Sequence, residues 1–172
     1  NKSQSFIYVN VTITETNEKN ITFSLFNSTS TVNSTTYTTT QRTINWTGLA
    51  DGTHTYNVTV YDYAGNSNTT ATRTITLDVT TPSSISFVVP TNSSGTNLSL
   101  SYIRYNVTAT DAINISIITI RLYNSSRTQI NSSNSSTSPL SGNFSGLSDG
   151  TYYINSTVND TAGNSNSTET RT

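Results

Sequence analysis

Apolar and polar residues alternate along most of this chain, in short runs that are separated by turn-forming residues. In the first half, the alternating positions are Val9, Val11 and Ile13; Ile21, Phe23 and Leu25; Ile44 and Trp46; Tyr56, Val58 and Val60; and Ile75 and Leu77. In the second half, they are Ile85, Phe87 and Val89; Ile103, Tyr105, Val107 and Ala109; Ile118, Ile120 and Leu122; and Ile154, Ser156 and Val158. A period of two predicts β-strands, and many short strands favour a β-sandwich. No segment has a convincing helical period.

The same pattern occurs twice. A shift of 98 residues aligns residues 48–53 (GLADGT) with residues 146–151 (GLSDGT), and residues 62–68 (DYAGNSN) with residues 160–166 (DTAGNSN). The junction falls near Pro82, because proline cannot donate a hydrogen bond to a sheet ladder and suits a boundary between modules. We therefore predict two domains, residues 1–79 and residues 80–172.

The two copies are incomplete in opposite ways. The second copy begins with an expected strand, Ile85 to Val89, that the first copy lacks, whereas the first ends with one, Ile75 to Val79, that the second lacks. Natural sheets avoid unpaired strand edges of this kind. We expect the missing strands to come from neighbouring repeats or from identical subunits, by β-strand addition.

Two short motifs recur towards the end of each copy. Gly-Leu-x-Asp-Gly-Thr is followed by a tyrosine-containing strand and then by Asp-x-Ala-Gly-Asn. Glycine and asparagine fit hairpin turns there, because both accept a positive φ. The combination resembles the immunoglobulin-like repeats of large bacterial and archaeal cell-surface proteins. The resemblance implies an all-β fold of two tandem immunoglobulin-like β-sandwich domains, in a stalk, adhesin, surface layer or filament.

Asparagine occurs almost only in the N-glycosylation motif Asn-x-Ser/Thr. Nineteen of the 22 asparagines lie in this motif, where chance predicts roughly eight for this composition. The predicted acceptors are Asn1, Asn10, Asn20, Asn27, Asn33, Asn45, Asn57, Asn68, Asn92, Asn97, Asn106, Asn114, Asn124, Asn131, Asn134, Asn143, Asn155, Asn159 and Asn166. We predict a heavily N-glycosylated protein; the competing interpretation is a chain rich in Ser, Thr and Asn whose motifs are unused.

In many of these motifs the middle residue is apolar. These middle residues are Val11, Ile21, Trp46, Val58, Leu98, Val107, Ile115 and Phe144. Successive side chains of a strand point to opposite faces of its sheet. We therefore predict that the middle residue enters the core while the acceptor faces water, so that sugar covers the outer sheet faces.

The composition excludes several classes of protein. Only 10% of residues are charged, and the basic residues are scattered, so no surface suits nucleic acid. Hydrophobic residues make up only 31%, but ten tyrosines and many β-branched residues indicate a thin-cored β protein rather than disorder. The absence of cysteine favours a prokaryotic extracellular protein. No apolar run is long enough to span a membrane, and we expect any export signal or anchor to lie outside these residues.

Candidate catalytic residues are few. His54 is the only histidine, and its repeat equivalent is Tyr152, so we predict a structural role for it. Carboxylates recur at turns, as Asp62 and Asp160 do, which favours capping of backbone N–H groups over an acid–base pair. We therefore predict a protein that is not an enzyme and has no cofactor besides its sugars.

Two binding alternatives remain open. Calcium could be held near the junction by Asp78 with Asp51 or Asp111, although the chain has no Asp-x-Asp cluster. Exposed aromatic residues could stack on sugars or on a neighbouring subunit, although ordinary cross-strand packing explains them better. The aromatic candidates are Tyr61, Tyr63 and Tyr153.

These patterns together predict a structural, non-catalytic repeat of a glycosylated extracellular filament, sheath or surface layer. The alternative is an adhesin stalk, or a surface module that binds carbohydrate or another partner. Such a binding module should leave one loop end free of acceptors and rich in aromatic residues. Instead, Asn33, Asn92, Asn131 and Asn134 decorate the expected loops.

Overall fold

The computed structural model describes all 172 residues and consists of β-strands, turns and irregular segments. The chain forms two compact units, residues 1–79 and residues 80–172. Each unit has its own apolar core, as an independent domain requires. No element has the length and apolar character that a membrane-crossing helix needs.

The first unit contains seven strands in two sheets. The strands are β1 (Ile7–Asn10), β2 (Glu18–Phe26), β3 (Thr31–Tyr37), β4 (Thr43–Trp46), β5 (Gly52–Asp62), β6 (Ser67–Thr69) and β7 (Arg73–Leu77). The larger sheet has the order β3-β2-β5, and β6 and β7 follow one another along the outer edge of β5. β1 and β4 form the smaller sheet, and all strand pairs are antiparallel.

The second unit also contains seven strands. They are β8 (Ser83–Phe87), β9 (Tyr102–Thr110), β10 (Ile115–Tyr123), β11 (Gln129–Ser135), β12 (Leu140–Ser145), β13 (Tyr153–Asp160) and β14 (Ser165–Ser167). One sheet has the order β11-β10-β13-β14 and the other the order β12-β9-β8. The second unit therefore has a first strand, β8, that has no counterpart in the first unit.

Inward-facing apolar side chains from both sheets form the core of each unit. The first core contains Ile7, Val9, Ile21, Phe23, Leu25, Trp46, Val58 and Leu77. The second contains Phe87, Tyr105, Val107, Ala109, Ile118, Ile120, Leu122, Leu140, Phe144, Ile154 and Val158. The predicted alternation is visible on β2 and β10, where every second residue is buried over most of the strand. The predicted fold class, all-β with tandem immunoglobulin-like β-sandwiches, is confirmed.

Some predicted strand positions differ. Val11 and Ile13 lie beyond the end of β1, although both still pack half-buried against the core. The predicted inward orientation of Val89 is wrong, since its side chain is 87% exposed. β8 ends at Phe87, and the nearby Pro90 has no N–H with which to continue the ladder.

Two strands of the structure are polar, so the alternation of apolar residues does not predict them. β3 and β11 are mostly exposed, and each contains a single aliphatic residue, Val32 or Ile130. Both strands lie at the edge of their sheet, so each pairs with one neighbour only. Apart from Tyr37, which packs against the first core, backbone hydrogen bonds rather than core burial hold these strands, so hydropathy does not reveal them.

Candidate glycosylation sites

All 19 predicted acceptor asparagines lie at the surface, and none of them is buried. The exposed acceptors are Asn1, Asn10, Asn27, Asn33, Asn45, Asn68, Asn97, Asn114, Asn131, Asn134, Asn143, Asn159 and Asn166. The half-buried acceptors are Asn20, Asn57, Asn92, Asn106, Asn124 and Asn155. A bulky sugar on Nδ2 requires such access to solvent. Attachment of sugar itself stays a prediction.

Strand pleating separates each strand-borne acceptor from its apolar neighbour. Five middle residues are buried: Ile21 at 0% exposure, Trp46 at 6%, Val58 at 4%, Val107 at 0% and Phe144 at 3%. The preceding asparagines are exposed at Asn45 and Asn143 and half-buried at Asn20, Asn57 and Asn106. Phe144 packs against Tyr105, with 4.8 Å between the ring centroids. The predicted alternation is therefore confirmed on these strands.

Two predicted placements are wrong. Leu98 is 37% exposed, because residues 88–101 contain no strand whose pleat would turn it inward. Asn33, Asn131 and Asn134 do not lie in loops but on β3 and β11. Since these two strands are the outer edges of the larger sheets, the acceptors follow sheet edges.

Two equivalent acceptors also shape turns. The Oδ1 atom of Asn27 accepts the backbone N–H groups of Thr29 and Ser30 at 3.0 and 2.8 Å. In the second unit, Oδ1 of Asn124 accepts the N–H groups of Ser126 and Thr128 at 3.1 and 2.9 Å. Sugar would be attached to Nδ2, so the turn and the sugar use different atoms of the same side chain.

Three acceptors already donate through Nδ2. Asn106 donates to the Val89 carbonyl and Asn166 to the Pro82 carbonyl, both at 2.9 Å. Asn57 has a weaker contact of 3.5 Å with a threonine hydroxyl. A glycosylated Nδ2 keeps one of its two N–H donors, so one hydrogen bond can persist beside the sugar.

Aspartates organise the turns of the Asp-x-Ala-Gly-Asn motif. Asp62 accepts the backbone N–H of Asn66 with Oδ1 at 2.8 Å and its side-chain Nδ2 with Oδ2 at 2.7 Å. The side-chain bond from Asn66 is the largest cause that lowers the pKa of Asp62. Asp160 accepts three successive N–H groups, of residues 162–164, at 2.7 to 2.9 Å. Both aspartates cap turns, as predicted.

His54 has a structural role that its repeat equivalent reproduces. The ring is 5% exposed, and Nε2 lies 3.0 Å from the carbonyl oxygen of Ala50. The hydroxyl of Tyr152 donates to the carbonyl of Ser148 at 2.8 Å. Each side chain therefore contacts the carbonyl four residues earlier and links the preceding turn to its strand. An imidazole makes this contact in the first unit, and a phenol hydroxyl makes it in the second.

Two of the carboxylates of the calcium alternative accept backbone N–H groups. In the first unit, Asp78 is buried, and Oδ1 of Asp51 accepts the N–H of Val79 at 2.9 Å. In the second unit, Asp111 is half-buried, and its Oδ1 accepts the N–H groups of residues 113 and 114, both at 2.9 Å. Backbone capping accounts for Asp51 and Asp111; calcium binding stays an untested alternative.

The three candidate tyrosines differ in exposure. Tyr153 is half-buried, and the guanidinium of Arg127 lies 3.4 Å from its ring centroid. Tyr61, on β5, is 39% exposed. Tyr63 lies in the turn after β5 and is 75% exposed, so cross-strand packing does not explain it.

Comparisons with known proteins concern the fold. No family model matches the chain, and no curated protein matches it. It is similar to the fibronectin(III)-like modules of CbhA from Clostridium thermocellum, at 16% identity over 98% of this chain and 84% of that one, with a TM-score of 0.46. A tetra-tandem repeat from the extending region of a large adhesion protein matches at 20% identity over 98% and 45%, with a TM-score of 0.43. The FN1-FN3 domains of chicken CNTN1 match at 13% over 98% and 62%, with a TM-score of 0.41. At these values, none of them assigns a family or a function to this chain.

Proposed function

We propose that the chain is a non-catalytic structural repeat of a heavily N-glycosylated extracellular protein that builds a filament, sheath or surface layer. The observation that carries the proposal is the division within the strand-borne motifs, where the acceptor faces solvent and its apolar neighbour packs in the core. Such a surface accepts sugar without disturbing the sandwich beneath it.

The asparagines outside the motif support this interpretation. Only Asn17, Asn66 and Asn164 fall outside it. In Asn66 and Asn164, Nδ2 donates to an aspartate Oδ2 at 2.7 Å within a turn. These two side chains therefore have a structural task of their own in the turn, and both lie outside the motif. In Asn164, Nδ2 also donates to the carbonyl of Thr80 at 3.2 Å, so a sugar there would remove one of two hydrogen bonds.

The low charge of the surface fits a sugar coat. The net charge is −1, and the salt bridges Arg42–Glu18 and Arg171–Glu169 use four of the few charged residues. Soluble proteins usually rely on charged side chains to stay apart from one another. Hydrated sugar would perform this task here.

The edge strands support it as well. An exposed strand edge offers unpaired backbone groups to other chains and invites aggregation. Asn33 lies on β3, and Asn131 and Asn134 lie on β11, all of them exposed. Sugar at these positions would block edge-to-edge pairing where the sheets are otherwise open, and would hinder proteases.

An adhesin stalk with a binding surface is the second candidate. It is favoured by the exposure of two aromatic rings, Tyr63 at 75% and Tyr8 at 57%. Exposed rings of this kind stack on sugars and on partner side chains. Replacing both tyrosines by serine would abolish adhesion if the second candidate holds, and would leave a purely structural array unchanged.

The first proposal is tested on native cells and native protein. Antibody labelling in electron cryo-tomograms should place the chain outside the cell, in a regular array, and enzymatic removal of sugar should shorten its survival in protease. The sugar-free recombinant chain serves as the matched control for proteolysis. An intracellular location, or equal survival of the native and sugar-free chains, would contradict the proposal.

A further inference from the structure

The larger sheet of each unit carries an apolar side chain on its outer face. In the first unit this side chain is Tyr61 on β5, which is 39% exposed. In the second unit it is Ile117 on β10, which is half-buried and does not belong to the residues that pack against the core. Two residues away on the same strand faces lie the polar side chains Thr59 and Thr119. Core packing therefore does not explain why an apolar residue occupies either position.

Each of these apolar side chains lies directly opposite a predicted acceptor asparagine. Tyr61 on β5 pairs with Asn20 on β2, and Ile117 on β10 pairs with Asn159 on β13. In an antiparallel pair, residues directly opposite one another point to the same face, with their Cβ atoms about 4.5–5.5 Å apart. A sugar on the asparagine would therefore begin beside the apolar side chain.

The two units contain the same pair with its members exchanged. The β-bulge near the start of β2 recurs near the start of β10, so that Asn20 is the structural equivalent of Ile117. On the partner strand, Tyr61 is equivalent to Asn159. Neither position keeps its residue type, yet an acceptor faces an apolar side chain in both units. This exchange indicates that the two side chains act together.

We propose that each apolar side chain is the packing surface for the sugar attached to the asparagine opposite it; this rests on the proposed glycosylation. Tyr61 receives the sugar of Asn20, and Ile117 receives the sugar of Asn159. A pyranose ring carries C–H bonds on its faces, and the negative face of an aromatic ring attracts them. Ile117 offers apolar contact only. The first sugar residue therefore lies along the outer face of the sheet instead of projecting into solvent.

The first unit also supplies a matched control for this packing. Tyr63 is 75% exposed and lies two residues beyond Tyr61, in the turn after β5. Its backbone N–H donates to the carbonyl of Asn17 at 3.1 Å, and Asn17 lies outside the glycosylation motif. The two tyrosines therefore differ in whether an acceptor lies opposite the ring. A contact that forms only in the folded state stabilises that state, so sugar should make Tyr61, but not Tyr63, matter for stability.

The test compares the full chain glycosylated in its native host with the same chain made without sugar. Tyr61→Ser and Asn20→Gln are made singly and together, and urea unfolding of the first unit is followed by Trp46 fluorescence. We expect Tyr61→Ser to lower the folding equilibrium constant about threefold to tenfold more in the glycosylated chain, the size of an aromatic contact. Asn20→Gln should abolish this difference, as coupled residues require. Tyr63→Ser should have equal effects in both forms.

NMR of the glycosylated chain gives the direct readout. We expect nuclear Overhauser effects between the ring protons of Tyr61 and the C–H protons of the sugar on Asn20. Equal effects of Tyr61→Ser in both forms, without these contacts, would overturn the proposal. Glycopeptide mapping of the same sample separates the two proposals: sugar on Asn20 without contact overturns the packing alone, whereas a chain without sugar on any acceptor overturns the proposed glycosylation as well.

Discussion

The opposite orientations of neighbouring residues in one motif give a direct stability prediction. Phe144 is 3% exposed and packs against Tyr105, whereas Asn143 beside it is exposed. Replacing a buried phenylalanine by alanine costs about 3–5 kcal/mol, from lost transfer free energy and the cavity left behind. Phe144→Ala should therefore strongly destabilise the second unit. Asn143→Gln removes the motif and should change the free energy of unfolding by less than about 0.5 kcal/mol.

The two units allow an internally controlled assay. Trp46 is the only tryptophan and lies in the core of the first unit, so its fluorescence reports that unit. The second unit is followed by NMR signals of its own core residues during urea unfolding. With a urea slope of about 1–3 kcal/mol per M, Phe144→Ala should lower the midpoint of the second unit by more than about 1 M.

Two outcomes with these variants would refute the predicted burial of Phe144 and exposure of Asn143. If Asn143→Gln destabilised the second unit as much as Phe144→Ala, the acceptor would itself be a core residue, and sugar could not be attached without unfolding. A loss below about 1 kcal/mol for Phe144→Ala would show that the ring is not buried as its packing indicates.

Three further predictions concern turns and close packing. His54→Tyr should keep the stability of the first unit, since tyrosine makes the equivalent bond in the second unit, whereas His54→Phe should cost about 1 kcal/mol in urea unfolding. The hydrogen bond from Asn66 lowers the pKa of Asp62, so its stabilising effect is complete above the ordinary carboxyl value and is lost as pH falls through the lowered value. Asp62→Asn should therefore reduce the loss of first-unit stability under acid, and an unchanged pH profile would contradict this. Gly142→Ala would bring a Cβ within 2.6 Å of the Tyr105 hydroxyl and should cost about 1–3 kcal/mol, measured by calorimetry of the second unit.

The sequence predicts the elements whose side chains reach a core. Alternating apolar residues identify β2 and β10, and the repeat of Asp-x-Ala-Gly-Asn identifies the turns after β5 and β13, where Gly65 and Gly163 have φ of 91° and 99°. These strands and turns can be predicted because burial restricts the strand positions to apolar residues and a positive φ restricts the turn positions mainly to glycine.

Features that depend only on strand pairing cannot be predicted from apolar alternation or from turn residues. β3 and β11 are polar edge strands, so their acceptors look like loop residues in the sequence. Val89 and Leu98 look like inward-facing strand residues, yet both lie in the irregular segment that follows β8. An apolar residue indicates the core only where a strand orients it, and that depends on distant partners.

Glycopeptide mapping by mass spectrometry of the protein from its native host tests the central claim most directly. We expect sugar on most of the 19 predicted acceptors, including the strand-borne Asn45 and Asn143, and none on Asn66 or Asn164. Unmodified peptides throughout, or sugar restricted to the irregular segments while Asn45 and Asn143 remain bare, would contradict the account.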